Sequence, residues 1–351
     1  MRKTGLAVLP LLFLAACQLT LEGGGGLTGK EDVRLHPGGT VGVYHYATWG
    51  YNGTRLGELI NPTDLARDYF GDLMVLDSGN LRVQVFDPAG RVIGQYDYDF
   101  GGGERAFRPT DIAVSHQDDV YLADPSAGTV FKFTDVSTAF VVTESYPATA
   151  GTGRLKRDDS TLSGVGDAPS VPGALAANWA GELWVASGEE LYEFDGRGNL
   201  TQVYTPLGDD LGGHAEVADM AMDYDRSLWV LTQDGLVVHV DFRGRVLSSF
   251  STGLRPPFAL DCDGGVVALA DGWNDGFRLY HEDGTLLYET RTVADDGTPL
   301  LSPEGIALDY DNRRLYLANT GSHTIEVFEL EVWEPAEPPP PKPPPPEPSS
   351  E

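Results

Sequence analysis

Residues 73–87 read LMVLDSGNLRVQVFD, an apolar run of strand length, a break of Asp, Ser, Gly and Asn, and a second alternating run that ends in an acid. Apolar residues at alternate positions, bounded by turn-forming residues, are the pattern of two strands joined by a tight connection. The phrase returns as DVYLADPSAGTVFKFTD at 119–135, ELWVASGEELYEFDGRG at 182–198, SLWVLTQDGLVVHVDFRG at 227–244, GVVALADGWNDGFRLYHEDG at 265–284 and RLYLANTGSHTIEVFE at 314–329. Its corresponding positions are Asp77, Asp124, Ser187, Thr232, Asp271 and Asn319, separated by 47, 63, 45, 39 and 48 residues. Periods of this length suit a four-stranded propeller blade.

Each unit carries a further strand-like segment upstream: PTDLARD from 62, PTDIAVS from 109, PGALAAN from 172, VADMAMD from 217, PFALDCD from 257 and PEGIALD from 303. Downstream segments follow glycine turns, as in GRVIGQYD from 90, GNLTQVYT from 198, GRVLSSFS from 244 and GTLLYETR from 284. Four strands in six units predict an all-β chain, a six-bladed β-propeller of four-stranded antiparallel blades. The sixth unit runs from EVFELEVW straight into proline and lacks its outermost strand, whereas TVGVYHYATW at 40–49 alternates suitably and has no other partner. Residues 41–47 are therefore expected to complete the last blade, which removes a sheet edge and closes the ring.

The run of Pro, a small apolar strand, a turn and VLDSGNLRVQVFDPAGRV resembles the NHL repeat, with ADPSAGTVFKF and ANTGSHTIEVF as further matches. The resemblance extends over residues 58–331 and implies a propeller; members of the family serve as scaffolds, sensors and, in some cases, enzymes.

Outside the repeats, MRKTGLAVLPLLFLAAC has basic, apolar and small residues in the order of an export signal. Its end, Leu14-Ala15-Ala16-Cys17, resembles the bacterial lipobox, which implies cleavage after residue 16 and lipidation of Cys17. No second apolar run is long enough to span a bilayer. The expectation is a lipid-anchored, extracytoplasmic protein of the bacterial cell envelope, with Gln18 permitting outer-membrane sorting. Residues 17–39, including Gly23 to Gly26, read as a lipidated spacer, residues 40–333 as the propeller, and residues 334–351 as a proline-rich polyproline II tail. That tail fits an aromatic-lined groove or serves as a spacer. Removing residues 1–16 takes away Arg2 and Lys3 and no acid, so the net charge of −29 becomes −31. Such a chain is repelled by nucleic acid and by anionic lipid, so membrane contact is expected through the N-terminal lipid only. With Cys17 acylated, Cys262 has no cysteine to pair with.

Candidate chemistry falls on the face where strand two meets strand three and where blade meets blade, because insertions in repeat proteins collect on one face. Arg154, Lys156 and Arg157 form a dense basic cluster in a glycine-rich insertion there, suited to an anionic ligand. Trp273 stands beside Asn274 and Asp275, a set that suits stacking on a sugar or peptide. On the opposite face the pairs Asp223/Asp225, Asp261/Asp263 and Asp309/Asp311 recur at one turn of the unit and read as side-chain-to-backbone turn bonding rather than calcium loops. The seven histidines show no metal-ligand spacing, and neither a nucleophile elbow nor a phosphate loop is present.

Two functions follow. The first is a surface-tethered binding or scaffold module for a protein or envelope polysaccharide, monomeric, not an enzyme and without metal or other cofactor. The second rests on PEGIALD and LYLANTGSH of unit six, which resemble segments of the metal-dependent lactonases of the gluconolactonase class. That resemblance implies one divalent ion over the central channel, with Glu304 and Asn319 as ligands, and Asp111, Asp77, Asp124 and Asp271 as the residues available to complete the set.

Overall fold

The computed structural model describes residue 35 and residues 38–97, 108–115, 119–126, 128–133, 152–156, 171–178, 180–196, 198–204, 216–224, 226–254 and 258–333. Cys17, the Gly23 to Gly26 stretch, Arg157 and the proline-rich tail lie outside these residues.

Among the described residues the regular structure is six four-stranded antiparallel sheets and two single 3-10 turns. Blade 1 is β2 (Pro62–Arg67), β3 (Leu73–Asp77), β4 (Arg82–Phe86) and β5 (Val92–Asp97); blade 2 is β6 (Asp111–Val114), β7 (Val120–Asp124), β8 (Thr129–Phe133) and β9 (Thr152–Lys156). Blade 3 is β10 (Leu175–Ala177), β11 (Leu183–Ser187), β12 (Glu190–Phe194) and β13 (Leu200–Tyr204); blade 4 is β14 (Val217–Met222), β15 (Leu228–Thr232), β16 (Leu236–Val240) and β17 (Val246–Ser251). Blade 5 is β18 (Ala259–Asp263), β19 (Val266–Asp271), β20 (Gly276–His281) and β21 (Leu286–Arg291). Blade 6 is β22 (Pro303–Asp309), β23 (Arg314–Asn319), β24 (Thr324–Trp333) and, outermost, β1 (Thr40–Trp49).

The first strand of every blade packs against the first strands of both neighbours, β22 on β2, β2 on β6, and so on round to β18 on β22. Six first strands therefore surround one axis, and the ring is closed. The N-terminal strand completes blade 6 as expected: β1 pairs antiparallel with β24, Thr40 opposite Trp333 and Trp49 opposite Ile325, with a bulge between His45 and Ala47.

The apolar core is divided in the same way. Six clusters of buried side chains fill the six gaps between neighbouring blades: Trp184 and Met220 lie between blades 3 and 4, and Trp229, Leu260 and Tyr280 between blades 4 and 5. Central strands buried on both sides explain their near-continuous apolar sequences, such as LWVLT and VVALAD. Each fully buried large side chain contributes roughly 1.5–3 kcal/mol, so the blades hold one another rather than standing alone.

Two departures from the sequence reading have local causes. The glycine-rich insertion was expected to be a loop carrying Arg154 and Lys156, but it supplies β9, the outer strand of blade 2, with 18 residues between it and β8. No glycine turn marks it, because the connection is long rather than a hairpin. The reading of residues 17–39 as spacer ends too late: Leu35 is buried (2% exposed), its N–H donates to the Gly264 carbonyl at 2.7 Å, and its carbonyl lies 3.2 Å from Nε2 of the buried His281.

Candidate ligand-binding site

The acid or amide that recurs at the end of the second strand is a structural anchor. Asp77 Oδ1 accepts the Ile60 N–H (2.7 Å), Asp124 Oδ2 that of Arg108 (2.9 Å), Ser187 Oγ that of Val171 (3.3 Å) and Asn319 Oδ1 that of Leu301 (2.7 Å). Each of these side chains pins the chain as it comes into its own blade. Asp77 also accepts from Arg82 Nε (2.7 Å) and Asn80, Asp271 takes both of its amide contacts from Asn274, and Asn319 donates to the Pro299 carbonyl and to Glu326. Asp77, Asp124, Asp271 and Asn319 are each buried in the second strand of a separate blade, one strand out from the axial first strand. The set named from the lactonase resemblance therefore does not form one site, and its residues do not fit a shared ion. Among the described residues no group of three or more His, Cys, Asp or Glu side chains is placed to hold a metal ion.

Acids do meet on the axis, but they are different ones. Asp64, Asp111 and Asp219 occupy the same place in the first strands of blades 1, 2 and 4, and Asp261 lies two residues further along that of blade 5. First strands have an unpaired edge facing the axis, and these carboxylates bond across to the next blade: Asp64 to Ile112 N–H (2.8 Å), Asp111 to Leu175 N–H (3.3 Å), Asp219 to Leu260 N–H (2.6 Å), Asp261 to Leu308 N–H (2.6 Å). Asp111 and Asp219 are buried, while Asp64 and Asp261 keep partial exposure toward the axis. Desolvation lifts the pKa of Asp64 and of Asp261 to about 7 and holds Asp111 and Asp219 well above the usual carboxylate range, with the neighbouring charges adding to the rise. The charge of Asp64 adds to the rise at Asp111, as two carboxylates near each other disfavour joint ionisation. Asp263 continues the pattern with the Tyr310 N–H (2.9 Å) and meets Arg67 at 3.1 Å. The pair Asp261/Asp263 is thus a bridge between blades and not a turn. The shared PTD, PTD and VAD at the head of units one, two and four was the available signal for the axial acids.

On the loop face, the strand ends and blade connections gather around Trp273. It occupies the place of Gly79 in blade 1 and Gly321 in blade 6, where an added Cβ would lie 2.5 Å from the Ile60 carbonyl and 2.8 Å from that of Leu301. In blade 5 the indole instead projects outward, 67% exposed, its centroid 6.3 Å from that of Phe258. Asn274 and Asp275, expected as ligand groups, are engaged within the protein. Asn274 bonds Asp271, and Asp275, at φ 51°, receives the Ser302 N–H on Oδ1 (2.7 Å) and the Thr292 N–H on its carbonyl (2.6 Å). Those two bonds press the Trp273 turn onto the head of blade 6, where a Cβ on Gly272 would come within 2.7 Å of the Pro303 carbonyl.

That head carries Glu304. It is the extra residue of a bulge between Pro303 and Gly305, matched by bulges at Thr63 in blade 1 and Ala218 in blade 4. Such bulges re-aim a side chain where pairing ends. Here the position at the mouth of the axis is Thr63, Thr110, Gly173, Ala218, Phe258 and Glu304 in blade order, so Glu304 is its one acid. Burial raises the Glu304 pKa against the opposing hydrogen bond of Ser302. Arg154 and Lys156 do not join this group, since β9 is the outer strand of blade 2, opposite Phe131 and Thr129.

Residues 300–328 match the family model of the NHL repeat. The chain is a six-bladed β-propeller with an NHL repeat in its last blade. None of the curated proteins matches it. Among solved structures the propeller resembles a streptogramin B lyase (TM-score 0.52, 10% identity, 84% of this chain and 98% of that one). It also resembles a catalytically inactive histidine-to-alanine variant of the virginiamycin B lyase from Staphylococcus aureus with quinupristin (TM-score 0.51, 10% identity, 83% and 99%). Raptor from Chaetomium thermophilum matches with TM-score 0.55 and 13% identity over 82% of this chain and 30% of that one. At such identities the likeness is one of fold.

It nevertheless corrects the expectation that the protein is not an enzyme. The lyases carry catalysis on a propeller of this kind. Absence of a sequence motif does not argue against activity in a ring, because groups at the axial mouth come from separate blades and leave no linear signature.

Proposed function

We propose that the propeller takes a carbohydrate ligand of the cell envelope on its loop face, at the axial mouth between blades 5, 6 and 1. The observation that carries this reading is Trp273, an indole exposed over two-thirds of its area at a position that is glycine in blades 1 and 6. An isolated exposed tryptophan is a flat apolar platform that a sugar face covers well. Phe258 extends the platform, and Glu304, a desolvated carboxyl at the mouth, is placed to accept hydroxyl hydrogen bonds or to give a proton. Leu35 is bonded to the Gly264 turn, on the face opposite Trp273, so the N-terminal approach to the ring leaves the proposed ligand face uncovered by Leu35.

The test is a titration of intrinsic fluorescence with oligosaccharides released from the envelope, with recovery and mass measurement of each ligand afterwards. Saturable change in the native chain, lost in Trp273→Ala and weakened in Glu304→Gln, supports the site. Recovery of a shortened or eliminated sugar would place chemistry there, with Glu304 as the first residue to examine. No saturable change with any fraction, or undiminished binding by Trp273→Ala, would sink the reading in favour of a protein partner elsewhere.

A further inference from the structure

The outermost strand of blade 6 is unlike those of the other blades. β1 and β24 are ten residues long, against five or six for β5, β9, β13, β17 and β21. Arg314, the first residue of β23, pairs with Glu329, so residues 330–333 and 40–43 run on past β23 as a two-stranded ribbon. Asp295 accepts the His45 N–H on the outer edge of β1 (2.8 Å), and a long strand edge is a feature that proteins cover or blunt.

One side of this ribbon is aromatic. Tyr44 is 47% exposed, Tyr46 56% and Trp333 46%. The register Thr40 opposite Trp333, Gly42 opposite Glu331 and Tyr44 opposite Glu329 puts Trp333 and Tyr44 on one face. Arg314, in the same row as Glu329 and Tyr44, lays its guanidinium 3.6 Å from the centre of the Tyr46 ring, which brings Tyr46 to that face as well. Gly42 leaves the room that the Trp333 ring takes: a Cβ there would lie 2.6 Å from that ring and 3.3 Å from that of Tyr44, so the two rings come together over Gly42. The result is a shallow slot floored by Trp333 and Tyr44, continued by Tyr46 and bordered by Glu329 and Glu331.

We infer that this slot is the docking site of the chain's own proline-rich segment, residues 335–348. Aromatic slots of this kind recognise polyproline II, whose rings lie against flat side chains and whose carbonyls, unused within that helix, accept from indole and phenol donors. The segment begins two residues after Trp333 itself, and holds ten prolines and a single basic residue, Lys342, to set against Glu329 and Glu331. The lengths agree. Seven strand residues from Thr40 to Tyr46 span about 23 Å, and the nine residues 338–346 in polyproline II span about 28 Å, which leaves 334–337 to reverse direction.

The experiment is fluorine NMR of the full chain labelled with 5-fluorotryptophan, beside a chain ending at Glu334. The Trp333 resonance is assigned from Trp333→Phe, and spectra are taken at several protein concentrations. The segment contains no aromatic residue, so a shift reports on the slot. Docking in cis predicts a Trp333 resonance that moves when the segment is removed, is independent of concentration, returns when a synthetic 335–348 peptide is added, and takes the truncated position in full-length Lys342→Glu. The unmoved resonances of the other tryptophans certify the fold of each variant. An unchanged Trp333 resonance on truncation overturns the proposal, and a shift that scales with concentration overturns it in favour of a second copy's segment.

Discussion

Blades 1 and 6 solve one residue-level problem with inverted chemistry. Where blade 1 has the acid Asp77 facing the amide Gln84 (3.2 Å), blade 6 has the amide Asn319 facing the acid Glu326 (3.1 Å). All four side chains are fully buried, so each pairing must match one donor with one acceptor. Asn319→Asp alone would oppose two buried carboxylates and is expected to cost about 3 kcal/mol. Adding Glu326→Gln restores an acid facing an amide, with Thr324 where blade 1 has Arg82, and a coupling energy of about 2 kcal/mol should appear in a urea-unfolding double-mutant cycle. Additive effects would mean that the two side chains act independently. The second-strand acid was legible in the sequence as a repeated letter, but its role was not, because a buried anchor and a metal ligand demand the same residue type and differ only in what lies across from it.

At the level of elements, ring closure rests on β1. Its last residue, Trp49, stacks on Phe86 of blade 1 at 5.9 Å, and Gly90 must be glycine because a Cβ there would lie 2.5 Å from the indole nitrogen. His45 ties the same strand to the loop after blade 5, with Nδ1 2.7 Å from Asp296 and Nε2 2.9 Å from Glu326. Trp49→Ala should therefore lower stability by about 3 kcal/mol or more, measured by urea denaturation, with hydrogen exchange rising first along β1 and β24. Exchange rising uniformly round the ring would show that the seam is no weaker than other blade contacts. Closure itself was readable from sequence, since one unit lacked a strand and one strand lacked a unit. The outer strand of blade 2 was not, because 18 residues separate it from its hairpin partner and tertiary pairing alone selects it.

For the whole molecule, the axial carboxyls set the response to pH. A carboxyl whose folded pKa is raised favours the native state when protonated. Its contribution is complete below the unfolded value of roughly 4 and is lost as pH rises through about 6 for Asp263 and about 7 for Asp64 and Asp261. Asp87 and Asp241 act in the opposite sense: against the effect of burial, turn N–H groups and Arg91 or Arg245 hold them below the ordinary value, so their contribution is lost only as pH falls under roughly 4. The unfolding temperature is thus expected to be highest near pH 4 and to fall toward pH 8, with Asp111→Asn flattening that fall. A temperature that climbs to pH 8 in scanning calorimetry would mean that the axial acids are ionised and neutralised by a bound cation.

The sequence by itself determined the number of blades, the order of strands in five of the six and the partner of the orphan strand, because strand pairing between neighbours in a repeat is written in local periodicity. Tertiary structure decided what stands at the axis and at its mouth. Asp64, Asp111, Asp219 and Asp261 come together from four blades, and the turn that carries Trp273 lies against Pro303 at the head of the blade 6 strand that carries Glu304, through the curvature of the closed ring. Curvature sums small rotations over the whole chain, and no single stretch of residues records it.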